Sequence, residues 1–412
     1  MMIEKKPTIW LLCHYPGSYQ YFEALIPHLE ASYQVNFLFT PKVKPIYLKE
    51  MEKNCQKKNY SFYSIKKINL PVFFQKIPLL CDPIIFSLDY KWKSRKFLKN
   101  NQVDKIIASS DTNFYHNYLM RKAKQKKAET FVLQWSFIFE REITRKEKLK
   151  LKPYRPPNFK SYIKQKLTNL LMGRGNDFKT LGGGASDKIG VINQRTKNSF
   201  IKEGINHDKI SVVGFLDFSQ IEKAQKELTN PEIKQKIAKE YSINLGKTNI
   251  AVFSHPFNIK DVGDLSDEEQ LAFFEKIIQS IRKVFPQETA DILFKIHPAE
   301  NINLYKPLEK YGVKIFNKES SNGVIVYFSN LYISHFSTTN LIPMMMQKPC
   351  IFLNIFTLAG AEQKLGQIFT PTHQELVEKL RAFQANQLPL QYRDDPTLFT
   401  KNSLEKILAW IN

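Results

Sequence analysis

Two series of short, continuous apolar runs, set apart by stretches of helical pattern, constrain what this chain can fold into more than any other feature of it. The first series is Thr8–Cys13, Gln34–Phe39, Lys105–Ala108, Thr130–Gln134, Lys188–Asn193 and Ile210–Val213. The second is Thr248–Ser254, Asp291–Ile296, Val313–Phe316, Asn330–Ser334 and Pro349–Asn354. Most are β-branched or aromatic along their whole length, not at alternate positions, which is the pattern of strands buried on both faces. Such strands separated by helices build βαβ units. The expectation is an α/β fold of two Rossmann-like domains, each a parallel sheet covered by helices.

At 412 residues, 43% of them hydrophobic, the chain can fill two cores and is too apolar for disorder over most of its length. The series break at the polar, helix-forming stretch that ends in Asn244-Leu245-Gly246-Lys247. This places an N-terminal domain at 1–225, a linker at 226–247 and a C-terminal domain at 248–395. Residues 41–100 and 135–185 do not fit βαβ spacing and read as insertions. Within the second, Gly182–Gly184 is too short and wrongly placed for a phosphate loop and reads as a flexible turn into the strand at Lys188. Residues 396–412 read as a closing helix, with Ser403 as N-cap and Leu404, Ile407 and Leu408 on one face.

The net charge of +22 favours phosphate-rich partners, although a lysine-rich solvated surface explains it equally well. Cys13, Cys55, Cys81 and Cys350 are scattered without a CxxC pair, which argues against a disulfide scaffold or zinc ribbon and suits a reducing compartment. The charged Met1–Pro7 leads straight into a strand, so no signal peptide is expected. No apolar run approaches the roughly 20 residues of a membrane span. The expected location is cytoplasmic. The basic, amphipathic Tyr162–Leu171 offers peripheral contact with an anionic inner-membrane surface. A nucleic-acid binder is suggested by charge alone, without a recognition motif, and no specific nucleic acid is expected.

Ligands of parallel α/β sheets sit beyond the carboxyl ends of strands, so the residues after each strand are the candidates. Lys295-Ile296-His297-Pro298 delivers an imidazole there, able to bind a phosphate or to protonate a leaving phosphate near neutral pH. A strand at Asn330–Ser334 is followed by His335-Phe336-Ser337-Thr338-Thr339 and by an expected helix from Thr339 or Asn340 to Gln347, whose N-terminus with Ser337, Thr338 and Thr339 would favour an anion. Ser254-His255-Pro256 repeats the His-Pro pattern after the first strand of the second series. In the N-terminal half, His14-Tyr15-Pro16-Gly17-Ser18 opens at a strand end, and Gly17 would let an acceptor or donor approach the backbone.

On these motifs the sequence resembles the GT-B glycosyltransferases that use CMP-activated acidic sugars, the bacterial sialyl-, polysialyl- and capsule Kdo transferases. The resemblance rests on His297-Pro298 and the downstream Ser337-Thr338-Thr339, and on Asp187–Asp217 as the strand–helix–strand closing an N-terminal domain. It implies domains facing each other across a cleft, with Lys295, His297, Pro298, Ser337, Thr338, Thr339, His335, Ser254 and His255 on the nucleotide-sugar donor. His14, Gly17 and Ser18 would lie on the acceptor or cleft side. Teichoic-acid enzymes that use CDP-glycerol carry similar His-Pro motifs.

The chain departs from the resemblance in lacking the acidic-Gly motif of the general base. Asp111, Glu140 and Glu142 all follow strands and stand as candidate bases, with Glu140 favoured for its aromatic neighbours Trp135–Phe139; Asp111 reads more readily as a helix N-cap, and the two Glu more readily as a solvated face. No HExxH or DxD motif is present, so metal-independent chemistry without a cofactor is expected, the nucleotide sugar being a substrate. The resulting expectation is an inverting transfer of an acidic sugar from a CMP-sugar to a glycan or glycolipid acceptor. The alternatives are a CDP-glycerol glycerophosphotransferase, a UDP-sugar 2-epimerase-like enzyme, or a non-enzymatic nucleic-acid binder.

Overall fold

The computed structural model describes residues 6–41, 43, 45–66, 81–135, 181–257, 265–317, 319–335, 338–353, 369–370, 372–388 and 399–412. The chain divides into two compact units, the first reaching Leu216 and regaining the chain at Thr397–Asn412, the second holding Asp217–Pro396.

The first unit runs β1 (Thr8–Cys13), α1 (Pro16–Glu23), α2 (Ile26–Leu29), β2 (Gln34–Phe39), α3 (Pro45–Lys57), β3 (Phe62–Ser64), α4 (Cys81–Asn100), β4 (Lys105–Ala108), α5 (Phe114–Lys124), β5 (Glu129–Leu133), β6 (Lys188–Val191), α6 (Gln194–Lys202) and β7 (Ile210–Val212). Its strands are all parallel, in the order β3-β2-β1-β4-β5-β6-β7. All six residues of β1 are buried, as a continuous apolar run predicts. The reading of 41–100 as an insertion is corrected: among its described residues are α3, β3 and α4, and β3 extends the sheet by an edge strand. The sequence hid β3 because Phe-Tyr-Ser is only three residues of half-buried side chains.

The second unit holds α7 (Leu216–Leu228), whose first residue closes the first unit, then α8 (Pro231–Glu240), β8 (Thr248–Phe253), α9 (Asp267–Val284), β9 (Ala290–Lys295), a 3₁₀ segment at Ile302–Tyr311, β10 (Val313–Phe316), α10 (Asn322–Phe328), β11 (Leu331–His335), a 3₁₀ turn at Thr338–Asn340, α11 (Leu341–Met345), β12 (Cys350–Leu353), β13 (Phe369–Thr370) and α12 (His373–Gln384). The strand order is β10-β9-β8-β11-β12-β13, again all parallel. The stretch read as a linker, 226–247, holds the end of α7 and all of α8. The longest helix of this unit, α9, shows why the sequence folds here. Ser266 and Glu269 form a capping box, acidic residues occupy its first turn, and Arg282 and Lys283 occupy its last, each favourable to a helix dipole. Its buried face, Phe273, Phe274, Ile277, Ile278 and Ile281, packs into a core with Ile250, Ile292, Phe294 and Ile333 of the sheet. Truncating a ring such as Phe274 to Ala there would cost about 3–5 kcal/mol.

The closing helix α13 (Ser403–Ile411) belongs to the first unit. Ile407 and Ile411 are buried, and the Trp410 ring meets Phe131 edge-on at 5.1 Å. Ser403 is not its cap: Asn402 holds that position at φ 54°, and the Ser403 hydroxyl donates back to Thr400 O at 2.8 Å. Gly214 fits against it at φ +89°, a conformation open to glycine, with the space a Cβ would take filled by Ser403.

Candidate functional site

In each sheet the chain first builds outward to one side and then returns to the other, so the order switches beside the first strand, between β1 and β4 and between β8 and β11. Crevices for ligands form at the carboxyl ends of strands at such points.

In the second unit three histidines meet at that edge. His255 follows β8, His297 follows β9, and His335 is the last residue of β11. The His255 ring centroid lies 5.4 Å from that of His335 and 6.2 Å from that of His297. Phe257 closes the apolar side, 4.8 Å from the His335 ring and 4.9 Å from that of His255. Burial, and then His297, hold the His255 pKa down to about 4. Burial, and then Lys295, hold His297 at about 4. Burial, and then His255, hold His335 at about 3. Burial lowers Lys295 itself to about 8. Its ammonium is turned onto the backbone, donating to Asn317 O at 2.5 Å and Ile296 O at 3.4 Å.

Burial therefore favours the neutral form of all three imidazoles. The Ala299 N–H donates to His297 Nδ1 at 3.1 Å, so the remaining proton of the neutral ring sits on Nε2. The His297 main-chain N–H is shared between Ser254 Oγ and Glu300 Oε2, each at 2.8 Å. Pro298 follows in the turn, where it has no N–H to satisfy. A bound phosphate would raise all three imidazole pKa values, because an adjacent negative charge favours the protonated ring.

After β11, Asn340 ties the turn together. Its Nδ2 donates to His335 O at 3.0 Å, and its Oδ1 accepts from Ser334 Oγ at 2.5 Å and Tyr332 Oη at 3.2 Å. Thr339 Oγ1 lies 3.3 Å from the same Tyr332 hydroxyl. Thr338 opens the 3₁₀ turn, and Ser337 lies outside the described residues. The helix expected to run to Gln347 is the five-residue α11, because Gln347 turns to φ 54° and Pro349 follows. So short a helix is not an anion site by its dipole.

The first unit presents a different edge. His14 Nδ1, after β1, lies 2.6 Å from Ser109 Oγ, after β4. His116 donates from Nδ1 to Ser110 O at 2.6 Å, and its Nε2 lies 3.3 Å from Thr40 Oγ1. Ser18 is buried in the first turn of α1, where its hydroxyl donates to Tyr15 O and accepts from the N–H groups of His14 and Tyr15. Gly17 leaves room for an indole: a Cβ there would stand 2.7 Å from Trp135 Cζ3. Asp111, fully buried, accepts from the N–H groups of Gly182 (2.7 Å), Gly184 (3.1 Å) and Ser186 (3.4 Å) and from the Ser186 hydroxyl (2.8 Å). That set of bonds anchors the Gly182–Gly184 loop, read from sequence as a flexible turn, and Asn113, not Asp111, caps α5. Glu140, Glu142 and Tyr162–Leu171 lie outside the described residues.

Sequence reasoning overlooked Glu300, Gln270 and Tyr305, which hold the loop after β9, and Asp217, whose carboxyl is pushed up to about 6 by burial. Glu300 stands three residues beyond His297, and its spacing alone could have drawn attention. Gln270 comes from α9, 30 residues before Glu300, and Tyr305 from the 3₁₀ segment five residues after it; neither residue type marks a site by itself. Among the described residues no cluster of His, Cys, Asp and Glu is placed to hold a metal ion, and no helix is long and apolar enough to cross a membrane.

No protein-family model matches this sequence, and no curated protein matches it. Solved structures do. UDP-GlcNAc 2-epimerase from Neisseria meningitidis, bound to UDP-GlcNAc, superposes at a TM-score of 0.58 with 14% identity, covering 98% of this chain and 99% of that one. UDP-GlcNAc 2-epimerase from Methanocaldococcus jannaschii gives 0.55 at 15% identity, with 98% and 99% covered. The wall teichoic acid polymerase TagF gives 0.55 at 11% identity, with 98% of this chain and 88% of that one covered. The fold is the two-unit α/β architecture of GT-B enzymes. Likeness at such identities establishes the fold and no more.

Proposed function

We propose that this chain is a nucleotide-sugar enzyme whose second unit holds the phosphate of the nucleotide in the cradle of His255, His297 and His335. The observation that carries the reading is the convergence of three desolvated imidazoles on the carboxyl edge beside the β8/β11 switch. Neutral N–H donors receive the phosphate and become more basic as charge builds on it, so the site stabilises a departing nucleotide more strongly than an intact donor. That difference is what accelerates a reaction.

The chemistry we favour is that of a UDP-sugar 2-epimerase-like enzyme, because the full-length likeness includes an epimerase bound to UDP-GlcNAc. The second reading is inverting transfer of an acidic sugar from a CMP-sugar to a glycan or glycolipid. It is supported by the His297-Pro298 and Ser337-Thr338-Thr339 motifs. The likeness to a teichoic acid polymerase keeps the CDP-glycerol alternative beside it. Both transfer readings need an acceptor and the epimerase reading does not. Incubating the protein with UDP-GlcNAc alone and following the sugar by proton NMR separates them. Conversion without an acceptor supports the epimerase. Inert UDP-GlcNAc, with CMP stabilising the protein against heat by about 2.7 kcal/mol at a hundredfold excess over its Kd, supports the transferase.

A further inference from the structure

The carboxylate of Glu300 is partly buried and is bonded by groups that come from four different places in the second unit. Oε2 accepts from the Ser254 hydroxyl, at the end of β8, and from the His297 N–H, after β9, at 2.8 Å. Oε1 accepts from Gln270 Nε2, on α9, and from the Tyr305 hydroxyl, in the 3₁₀ segment, at 2.5 Å. Gln270 and Tyr305 are themselves buried and bonded to each other at 2.5 Å. We infer that Glu300 is the positioning residue of the cradle: by holding the His297 main chain against Ser254 it fixes the imidazole in the orientation that presents Nε2–H to a ligand.

The chain of contact is continuous. Glu300 and Ser254 pin the His297 N–H, and the resulting turn brings the Ala299 N–H to His297 Nδ1 at 3.1 Å. That last bond excludes the proton from Nδ1 and so sets the tautomer. A carboxylate suits this post because its two oxygens offer acceptor positions for all four donors, whereas an amide offers one oxygen and would turn its own NH₂ toward donors on the other side. The functional consequence rests on the nucleotide-binding reading above; the effect on the ring does not.

The test therefore reads the ring itself. Long-range nitrogen–proton NMR of ligand-free protein reports the His297 tautomer, assigned by its absence in His297→Asn, in wild type, Glu300→Gln, Glu300→Ala and Tyr305→Phe. Wild type and Tyr305→Phe, in which the Oε2 side is intact, should show the Nε2–H form. Glu300→Gln should show exchange between tautomers while keeping a cooperative melt, with UDP binding weaker by about 10-fold, the scale on which orienting partners act. If Glu300→Ala does not fold, the Gln variant decides. A wild-type tautomer in a folded Glu300→Gln protein overturns the assignment. So does a Tyr305→Phe protein that loses the tautomer as fully as Glu300→Gln, since general packing and not the carboxylate would then set the ring. If the tautomer responds as expected but no nucleotide binds even the wild type, the nucleotide reading fails and the role of Glu300 stands.

Discussion

Each of the two units has its own parallel sheet with a switch beside the first strand, yet their carboxyl edges are finished in different ways. In the first unit the described residues Asp111, His14 and His116 at that edge bond within the fold. Asp111 is saturated by the 182–186 loop, His14 is paired with Ser109, and His116 is bonded to Ser110 O and faces Thr40. In the second unit the carboxylate Glu300 is likewise saturated, but one of its bonds holds the backbone of His297, whose Nδ1 accepts from the Ala299 N–H. Burial lowers the pKa of three adjacent imidazoles there. A buried polar residue is thus read by where its bonds end. Bonds that close within the fold, as at Asp111, build a scaffold.

This contrast can be broken by experiment. The largest effect is expected at Asp111. Replacing it by Ala strands the N–H groups of Gly182, Gly184 and Ser186 and the Ser186 hydroxyl, which should cost about 3 kcal/mol or more in urea unfolding. A loss within 1 kcal/mol (roughly the error of such measurements) would mean that the edge of the first unit is not scaffold.

The next effect is of pH. Each imidazole of the cradle refuses a proton that the unfolded chain accepts at about pH 6.5. The contribution of these histidines to the stability of the second unit should therefore be complete above that pH and fall as the pH drops from about 6.5 toward 4, where His255 and His297 finally titrate. Added phosphate should reduce the fall. Amide exchange in β8 and β11, corrected for intrinsic rates, resolves it, and a flat profile across that window would remove the argument from desolvation.

A smaller effect is expected at Gly17. Its Ala variant pushes a methyl to 2.7 Å from Trp135 and should cost about 1–2 kcal/mol, since the ring must shift, with a change in Trp fluorescence. The smallest is at His297: the Ala variant should lie within about 1 kcal/mol of wild type, because a partly exposed imidazole that serves a ligand contributes little to the fold.

Strand existence was legible because continuous apolar runs have few other uses: β1, β2, β4 and β10 begin and end where the sequence predicts, and the remaining long runs shift by a residue or two. The misses are physical. β3 at Phe62–Ser64 and β13 at Phe369–Thr370 are edge strands too short to carry a pattern. The cap of α13 fell to Asn402, whose left-handed backbone no side-chain rule foresees. At the site, His297, His255 and His335 were legible as single residues after strands. That their pKa values are lowered was not, because desolvation is a property of the neighbours that folding brings in. Nor could sequence distinguish Asp111 as an anchor from Asp111 as a base, since its partners lie some seventy residues away, in the 182–186 loop.

The central claim, that the histidine cradle receives a nucleotide's phosphate, is tested most directly by calorimetric titration of UDP and of CMP at pH 6 in buffers of different ionisation enthalpy. The account predicts binding of at least one nucleotide accompanied by net proton uptake by the protein, with both affinity and uptake reduced in His297→Ala. Absence of binding by both nucleotides, or binding whose affinity and proton uptake are the same in wild type and His297→Ala, would contradict it.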